Sequence, residues 1–275
     1  MLLDLVCYDC VMLQVNKGNE NAFDGAQIQT PFEQVNNSGI YDVNCSQGHV
    51  SKNIINNINF EILFEYGLNA ILDGYYREAV SSITSSMERY FEFFIKVVLR
   101  ASKVDFKEID KTWKKISNQS ERQLGAYIML FLQTFQKEPE LLSTNKEIPF
   151  RNSVIHKGYI PTKKESIDFA NSVMKIMENS LINLKTNYPN ETNETFDYYG
   201  YNREGEKKIK QQEKELGVKI GFVSVNIMTT IDVKNGREKN PKDGRKGNVD
   251  DRLINIQERR TPRTLTLLKD LPKEE

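Results

Sequence analysis

Apolar side chains between about residues 54 and 187 recur every three or four positions, which is the period of an amphipathic helix. The first apolar face runs from Phe60 to Leu72, and Gly74 is placed to end that helix. A longer helix is predicted from Tyr76 to Ala101, with an apolar stripe wide enough that we expect neighbours on more than one side. The last strong face runs from Ile167 to Leu184. The pattern predicts a mainly α-helical domain.

Capping signals predict where three of the helices begin. Asp105 is placed as the N-cap of a short helix that contains Trp113, and Ser120 as the cap of the helix after it. Thr162 and Glu165 have the spacing of a capping box, which predicts the start of the last long helix.

A short helix is predicted just before that capping box. Pro149 suits its first turn, Gly158 its end, and Pro161 prevents its continuation. This segment carries Arg151 and His156, one of only two histidines in the chain.

The two ends of the chain lack the helical period. Residues up to about 50 are rich in Asn, Gly and Gln, and they predict hairpins and loops. Residues 218–233 have the β-branched and apolar density of a strand, and residues 253–268 are a candidate for a second strand. A small β-rich appendage is therefore expected near the C-terminal end.

Arg151 and His156 together suggest phosphodiester chemistry. Arginine supplies a fixed cation for phosphate, and histidine is the side chain that titrates near neutral pH. RNA cleavage without a metal needs a base for the 2′-hydroxyl, an acid for the leaving oxygen and a cation near the phosphorane. The alternative is structural: His156 caps carbonyls or packs in the core, and Arg151 forms a salt bridge.

The order of helices, followed by Arg-Asn-x-x-x-His, Lys-Gly and a loop containing proline, resembles the HEPN-domain ribonucleases. The resemblance covers about residues 54 to 187. It implies an α-helical bundle, a homodimer and a composite cleft in which Arg151, Asn152 and His156 of two copies meet RNA. It further implies a 2′,3′-cyclic phosphate product, no catalytic metal, and a role as a toxin or antiviral defence effector. Glu88 lies on the long second helix, and the sequence offers no partner for it.

The three cysteines and the other histidine suggest a metal site. Cys7 and Cys10 are separated by two residues, and Cys45 precedes His49 by four, with a glycine just before the histidine. These four side chains make a closed Cys₃His set of the kind that holds a structural Zn²⁺, and they resemble the two knuckles of a zinc ribbon. Ordinary reduced cysteines are the alternative. We therefore predict a zinc-ribbon-like segment at 1–53, a HEPN-like domain at 54–187, and a charged linker with the β-rich region at 188–275.

The composition restricts the classes of partner that we expect the protein to bind. Lys and Arg total 38, and so do Asp and Glu, so the net charge favours neither nucleic acid nor membrane. The acids cluster towards the start and the cations between residues 234 and 263, which suggests different partners for the two ends. Without a signal-like start or a membrane-length apolar run, a cytoplasmic protein is expected.

Three hypotheses follow. The first is a dimeric endoribonuclease, which a regulatory or antitoxin protein could silence. The second is a module that binds RNA or a nucleotide without cutting. The third is a scaffold whose zinc ribbon and β-rich region bind protein partners.

Overall fold

The structure is a computed structural model that describes residues 1–3, 5–18, 33–200, 207, 211–215, 217, 221–225, 233 and 248–257. The chain forms two compact units: residues 1–59 with 196–227, and residues 60–195 with 228–275. The helices are α1 (Tyr8–Asn16), α2 (Asn59–Leu72), α3 (Tyr76–Ala101), α4 (Phe106–Trp113), α5 (Ser120–Phe135), α6 (Glu147–His156), α7 (Lys163–Asn187) and α8 (Pro189–Tyr199). The strands are β1 (Leu2–Leu3), β2 (Glu33–Gln34), β3 (Ile40–Asn44), β4 (Val50–Ile55) and β5 (Phe222–Val225). The described part of the chain is mainly helical, as the periodicity predicts.

The first unit is built on a three-stranded sheet in the order β3-β4-β5. Strands β3 and β4 form an antiparallel hairpin in which Tyr41 lies opposite Asn53. Strand β5 runs parallel to β4, with Phe222 opposite Lys52. A separate antiparallel pair joins β1 to β2. The hairpin buries the apolar side chains Tyr41, Val43, Ile54 and Ile55.

The second unit is organised around α3, which packs against α4, α5, α6 and α7. Burial on several sides explains the wide apolar stripe of this helix. Its aromatic side chains form the core: the ring of Tyr90 meets Phe60 edge-on at 5.3 Å, and Phe91 stacks on Tyr127 at 4.2 Å. These rings are buried, so they are core residues and not an exposed stacking surface.

Close approach between α2 and α3 depends on Gly67. A Cβ atom at this position would lie 2.5 Å from Cγ1 of Ile83, a distance that packed atoms do not tolerate. Glycine therefore permits the two backbones to approach one another here.

The predicted helix starts are largely confirmed. The side chain of Asp105 accepts a hydrogen bond from the N–H of Lys107 at 2.8 Å, as an N-cap does. Thr162 and Glu165 form the complete capping box at the start of α7. Helix α5 differs by one residue, because Gln119 is its N-cap and Ser120 its first helical residue.

The predicted C-terminal strands need correction. Strand β5 exists within residues 218–233, but it joins the sheet of the N-terminal hairpin. The expectation of a second strand at 253–268 is wrong for residues 253–257, which belong to a helical stretch at 249–257. Residues 258–268 lie outside the described part of the chain, as does most of the basic segment 234–263. The predicted boundaries at residues 53 and 187 stay predictions.

Candidate metal centre and Arg–His site

Cys7, Cys10, Cys45 and His49 converge in the first unit, with all four ligand atoms within 4.8 Å of one another. The Cys10 and Cys45 sulfurs are 3.8 Å apart. His49 Nδ1 lies 3.8 Å from Cys7 Sγ, 3.5 Å from Cys10 Sγ and 3.5 Å from Cys45 Sγ. Tetrahedral Zn²⁺, with Zn–S of about 2.3 Å and Zn–N of about 2.0 Å, places two sulfurs about 3.8 Å apart and sulfur about 3.6 Å from nitrogen. The cluster therefore has dimensions compatible with a structural zinc site.

The first cysteine pair lies at the start of a helix. Cys7 is the N-cap of α1 and Cys10 lies in its first turn, so the expectation of hairpins and loops is wrong for residues 8–16. The buried amide of Asn53 accepts from the N–H of Val6 at 3.0 Å and donates to its carbonyl at 2.8 Å. These bonds fix the backbone next to Cys7 against β4. The positive end of the α1 dipole then favours thiolates at this position.

The second pair lies at the turn between β3 and β4, and the tight turn that the sequence predicted here is present. The N–H of Cys45 donates to the carbonyl of His49 at 3.1 Å, which closes the turn. Gly48 has a φ of 78°, a left-handed conformation that glycine adopts without strain. The N–H of Gln47 points at Cys45 Sγ from 3.3 Å.

The thiols differ in acidity. Burial, followed by hydrogen bonds with the Cys7 and Cys45 thiols, raises the pKa of Cys10 to about 12. Burial also opposes ionisation of Cys45, but the N–H groups of His49 and Gln47 outweigh it and lower its pKa to about 7. Cys45 is therefore the better thiolate donor of these two for a soft cation.

Helix α6 of the second unit carries the other predicted site. Arg151, Asn152 and His156 all lie on it, and His156 is its last residue. The helix ends where Lys157 and Tyr159 both donate their N–H groups to the carbonyl of Ser153, at 3.1 and 3.0 Å, and Gly158 has a φ of 73°. Gly158 thus ends the helix as predicted.

His156 is exposed, and within the described ranges its ring has no hydrogen-bond or ion-pair partner. It neither packs in the core nor caps a described carbonyl, so the structural interpretation of this histidine is not supported. An exposed imidazole is free to exchange protons with a bound molecule.

Arg151 forms a salt bridge with Glu88, as the structural alternative predicted, and it is held from two sides. Its Nη2 atom donates to Oε1 of Glu88 at 3.1 Å, and its Nη1 atom donates to Oδ1 of Asn152 at 3.1 Å. About a quarter of each side chain of the ion pair is exposed, 26% for Arg151 and 27% for Glu88. A guanidinium has five N–H donors, so these two bonds fix its plane and leave donors for a ligand.

Glu88 is the site residue that sequence reasoning missed. It lies on α3, 63 positions before Arg151, and only the packing of α3 against α6 brings the two together. In the sequence, the only sign of a role for Glu88 was its position beside the aromatic stripe of α3. That position does not indicate which residue it contacts.

Arg151 and His156 of one copy do not lie on the same face of α6. Five residues of α-helix turn the side chain by about 140° and advance it by about 7.5 Å. The two groups therefore leave the helix in different directions, and a single copy offers one imidazole on an exposed helix end.

Comparison of this chain with protein-family models, with curated proteins and with solved structures returns no match in any of the three searches. Among the helices that the structure describes, none has both the length and the apolar composition needed to cross a bilayer.

Proposed function

We propose that this protein is a metal-independent endoribonuclease that cleaves RNA with Arg151, Asn152 and His156 of two copies of the chain. The observation that carries the proposal is the contrast within α6: Arg151 is fixed by Glu88 and Asn152, whereas His156 is exposed and free of described partners. A fixed cation and an accessible imidazole are two of the groups that metal-free RNA cleavage requires. A toxin or antiviral effector in the cytoplasm, silenced by a regulatory protein until needed, is the setting we propose for it.

The reaction forms a bond between the RNA 2′-oxygen and phosphorus and breaks the bond between phosphorus and the 5′-oxygen. One neutral imidazole takes the 2′-hydroxyl proton, and one imidazolium gives a proton to the leaving 5′-oxygen. Arg151 faces the charge that builds up on the phosphorane oxygens. The products are a 2′,3′-cyclic phosphate and a 5′-hydroxyl, and no metal takes part in these steps.

Two copies are proposed because one chain supplies a single imidazole on α6 where the reaction uses an acid and a base. A pair of chains related by a two-fold axis would present two such helices to one RNA. Each chain then contributes the same residues, so one histidine acts as base while the other acts as acid.

The Cys₃His cluster is proposed to hold one structural Zn²⁺ through Cys7, Cys10, Cys45 and His49. Four protein ligands leave no coordination position for water, so the ion stabilises the fold and does not activate a nucleophile. Its role is to join the start of α1 to the β3–β4 hairpin, in a unit with few large apolar elements of its own.

A second candidate function is an RNA-binding module that does not cut. The ion pair of Arg151 with Glu88 favours it, because Glu88 offsets part of the positive charge that would face phosphate. A scaffold for protein partners stays as the third hypothesis.

The test is incubation of the pure full-length protein with tRNA and mRNA in EDTA, followed by mapping of the product ends. We expect cleavage with 2′,3′-cyclic phosphate ends, and its loss in His156→Ala with RNA binding retained. His156 is exposed, so this variant should fold normally. Binding without cleavage by the wild-type protein would favour the second candidate. A sedimentation measurement showing only monomers at the concentrations where RNA is cut would overturn the composite site.

A further inference from the structure

The exposed aromatic side chain nearest His156 along the chain is Tyr159, at the end of α6. Tyr159 is 42% exposed, and Ile160 beside it is 74% exposed. The two residues form a small exposed apolar surface that begins three residues after the proposed catalytic histidine.

Tyr159 is exposed and yet firmly held. Its N–H donates to the carbonyl of Ser153 at 3.0 Å, and its hydroxyl donates to Oε1 of Glu165 at 2.9 Å. Its ring packs edge-on against Phe150, with ring centres 6.4 Å apart, and Phe150 in turn contacts the buried Phe169. Two side-chain contacts and one backbone hydrogen bond restrict the conformational freedom that binding would otherwise cost.

The hydroxyl of Tyr159 stays neutral in this setting. The hydrogen bond to Glu165 raises the pKa of Tyr159 above its ordinary value, so no phenolate arises near neutral pH to repel a polyanion. The carboxylate of Glu165 accepts hydrogen bonds from Thr162 and Tyr159, and these donors partly offset its negative charge.

Two cations lie close to Tyr159 along the chain. Lys157 precedes it by two residues and Lys163 follows it by four, and both are exposed. Neither has an ion-pair partner among the described residues, whereas Lys164 is paired with Asp168 at 2.9 Å. Surfaces that bind single-stranded nucleic acid combine exposed aromatic rings, on which bases stack, with cations that bind the phosphates.

We propose that Tyr159 is a stacking subsite for an unpaired nucleobase, with Lys157 and Lys163 binding the adjoining phosphates. The proposal rests on the proposed function, and it identifies the substrate class as single-stranded RNA. A duplex keeps its bases stacked on one another and offers no free face to the ring, so paired RNA should be excluded at this subsite.

The experiment measures binding in the full-length His156→Ala protein, so that cleavage does not interfere. Three fluorescein-labelled probes of one length are compared: a single-stranded RNA, its blunt duplex, and an abasic strand that keeps sugars and phosphates. Tyr159→Ala should weaken binding of the single strand by about 5- to 100-fold, which is the effect of one base–aromatic stack. Binding of the duplex and of the abasic strand should change by less than about 2-fold, since neither offers an unpaired base.

Three further variants separate stacking from folding. Tyr159→Phe keeps the ring and loses only the hydroxyl bond, so its affinity should stay within about 3-fold of the parent, the scale of one exposed hydrogen bond. Tyr75→Ala removes a different tyrosine that is 64% exposed, and should leave all three affinities unchanged. Tyr159→Trp should show quenching of its indole fluorescence by the single strand and not by the abasic strand.

The outcomes distinguish this subsite from the nuclease itself. If the wild-type protein cuts RNA but Tyr159→Ala binds the single strand as tightly as its parent, the subsite is wrong and the nuclease stands. If the wild-type protein cuts nothing, yet binding depends on Tyr159 and on the bases, the subsite stands and the catalytic proposal fails. Equal weakening on the abasic strand would overturn the stacking proposal, because backbone contacts alone would then explain the loss.

Discussion

The guanidinium of Arg151 donates a hydrogen bond to Oε1 of Glu88 at 3.1 Å, which joins the middle of α3 to the short helix α6. Each side chain is about a quarter exposed, so the cost of removing much of both charges from water offsets their attraction, and the pair contributes little to folding, on the order of 0–1 kcal/mol. Its effect is therefore on the orientation of Arg151 more than on stability. Glu88 and Asn152 together fix the plane of the cation that we propose faces the scissile phosphate.

Glu88→Gln should lower kcat for RNA cleavage by about 10-fold or more, since a small misplacement of a catalytic group is expensive. The free energy of unfolding should change by less than about 1 kcal/mol. Binding of RNA, measured in the His156→Ala background, should be unchanged or tighter because a negative charge is lost. Single-turnover kinetics measure the rate of the cleavage step separately from the affinity for RNA.

The matched control for this variant is Glu78→Gln. Glu78 lies on the same helix and contacts Arg77 at 3.5 Å in an exposed pair, so its loss should leave kcat unaltered. A rise in kcat for Glu88→Gln, together with tighter binding, would identify Glu88 as a screen of the arginine charge and contradict the positioning role.

The cysteine–histidine cluster predicts one zinc ion per chain in protein purified without chelator. All three cysteines of the chain are in the cluster, so none should react with a thiol reagent in the native state. A chelator should release the metal and expose three reactive thiols. Metal analysis combined with thiol titration measures both quantities on one sample.

Cys10→Ser should lose the metal and Ser46→Ala should keep it. Ser46 lies in the same turn as Cys45 but is exposed and is not a member of the cluster, so it controls for changes to the turn itself. The alternative is that these are ordinary reduced cysteines. It would be shown if the native protein holds no zinc and its thiols react at the same rate with and without added zinc.

The capping box of α7 predicts a pH-dependent contribution to stability. The N–H and hydroxyl of Thr162, together with the hydroxyl of Tyr159, lower the pKa of Glu165 below its ordinary value of 4.5. A carboxylate with a lowered pKa in the folded state stabilises the fold fully above its unfolded pKa. The contribution is lost as the pH falls through the folded value.

Glu165→Gln should therefore be less stable than the parent at pH 7, and the difference should shrink as the pH falls below 4.5 and through the lowered pKa of Glu165 in the folded state. Chemical unfolding over a series of pH values measures it. Glu121→Gln, in the first turn of α5, controls for the general effect of an acidic residue near a helix start. A difference between parent and Glu165→Gln that does not change with pH would rule out the ionised carboxylate as its source.

Gly67 and Gly125 provide a paired test of the helix packing. Gly67→Ala should destabilise the protein by roughly 1–3 kcal/mol, because its Cβ would lie 2.5 Å from the buried Ile83. Gly125 lies on α5 with nothing within 4 Å of its added Cβ, so Gly125→Ala should stabilise by about 0.5–1 kcal/mol. Thermal unfolding measures both, and equal effects of the two substitutions would contradict the close approach of α2 and α3.

The sequence by itself determined the helical part of the fold, since helix signals are local. The apolar period of α3, the cap at Asp105 and the capping box of Thr162 and Glu165 each depend on residues within a few turns of one another. The cysteine and histidine spacings likewise named the four members of the metal cluster, because ligand chemistry restricts the residue types that can take part.

Only the tertiary structure decided which distant residues meet. The pairing of β5 with β4 and the partner of Glu88 both depend on contacts between segments far apart in the chain. Residues 253–257 were assigned to a strand because short apolar runs fit either period, and they form a helix. Where a segment can form either a strand or a helix, contacts with distant segments decide between them. A local sequence pattern does not contain that information.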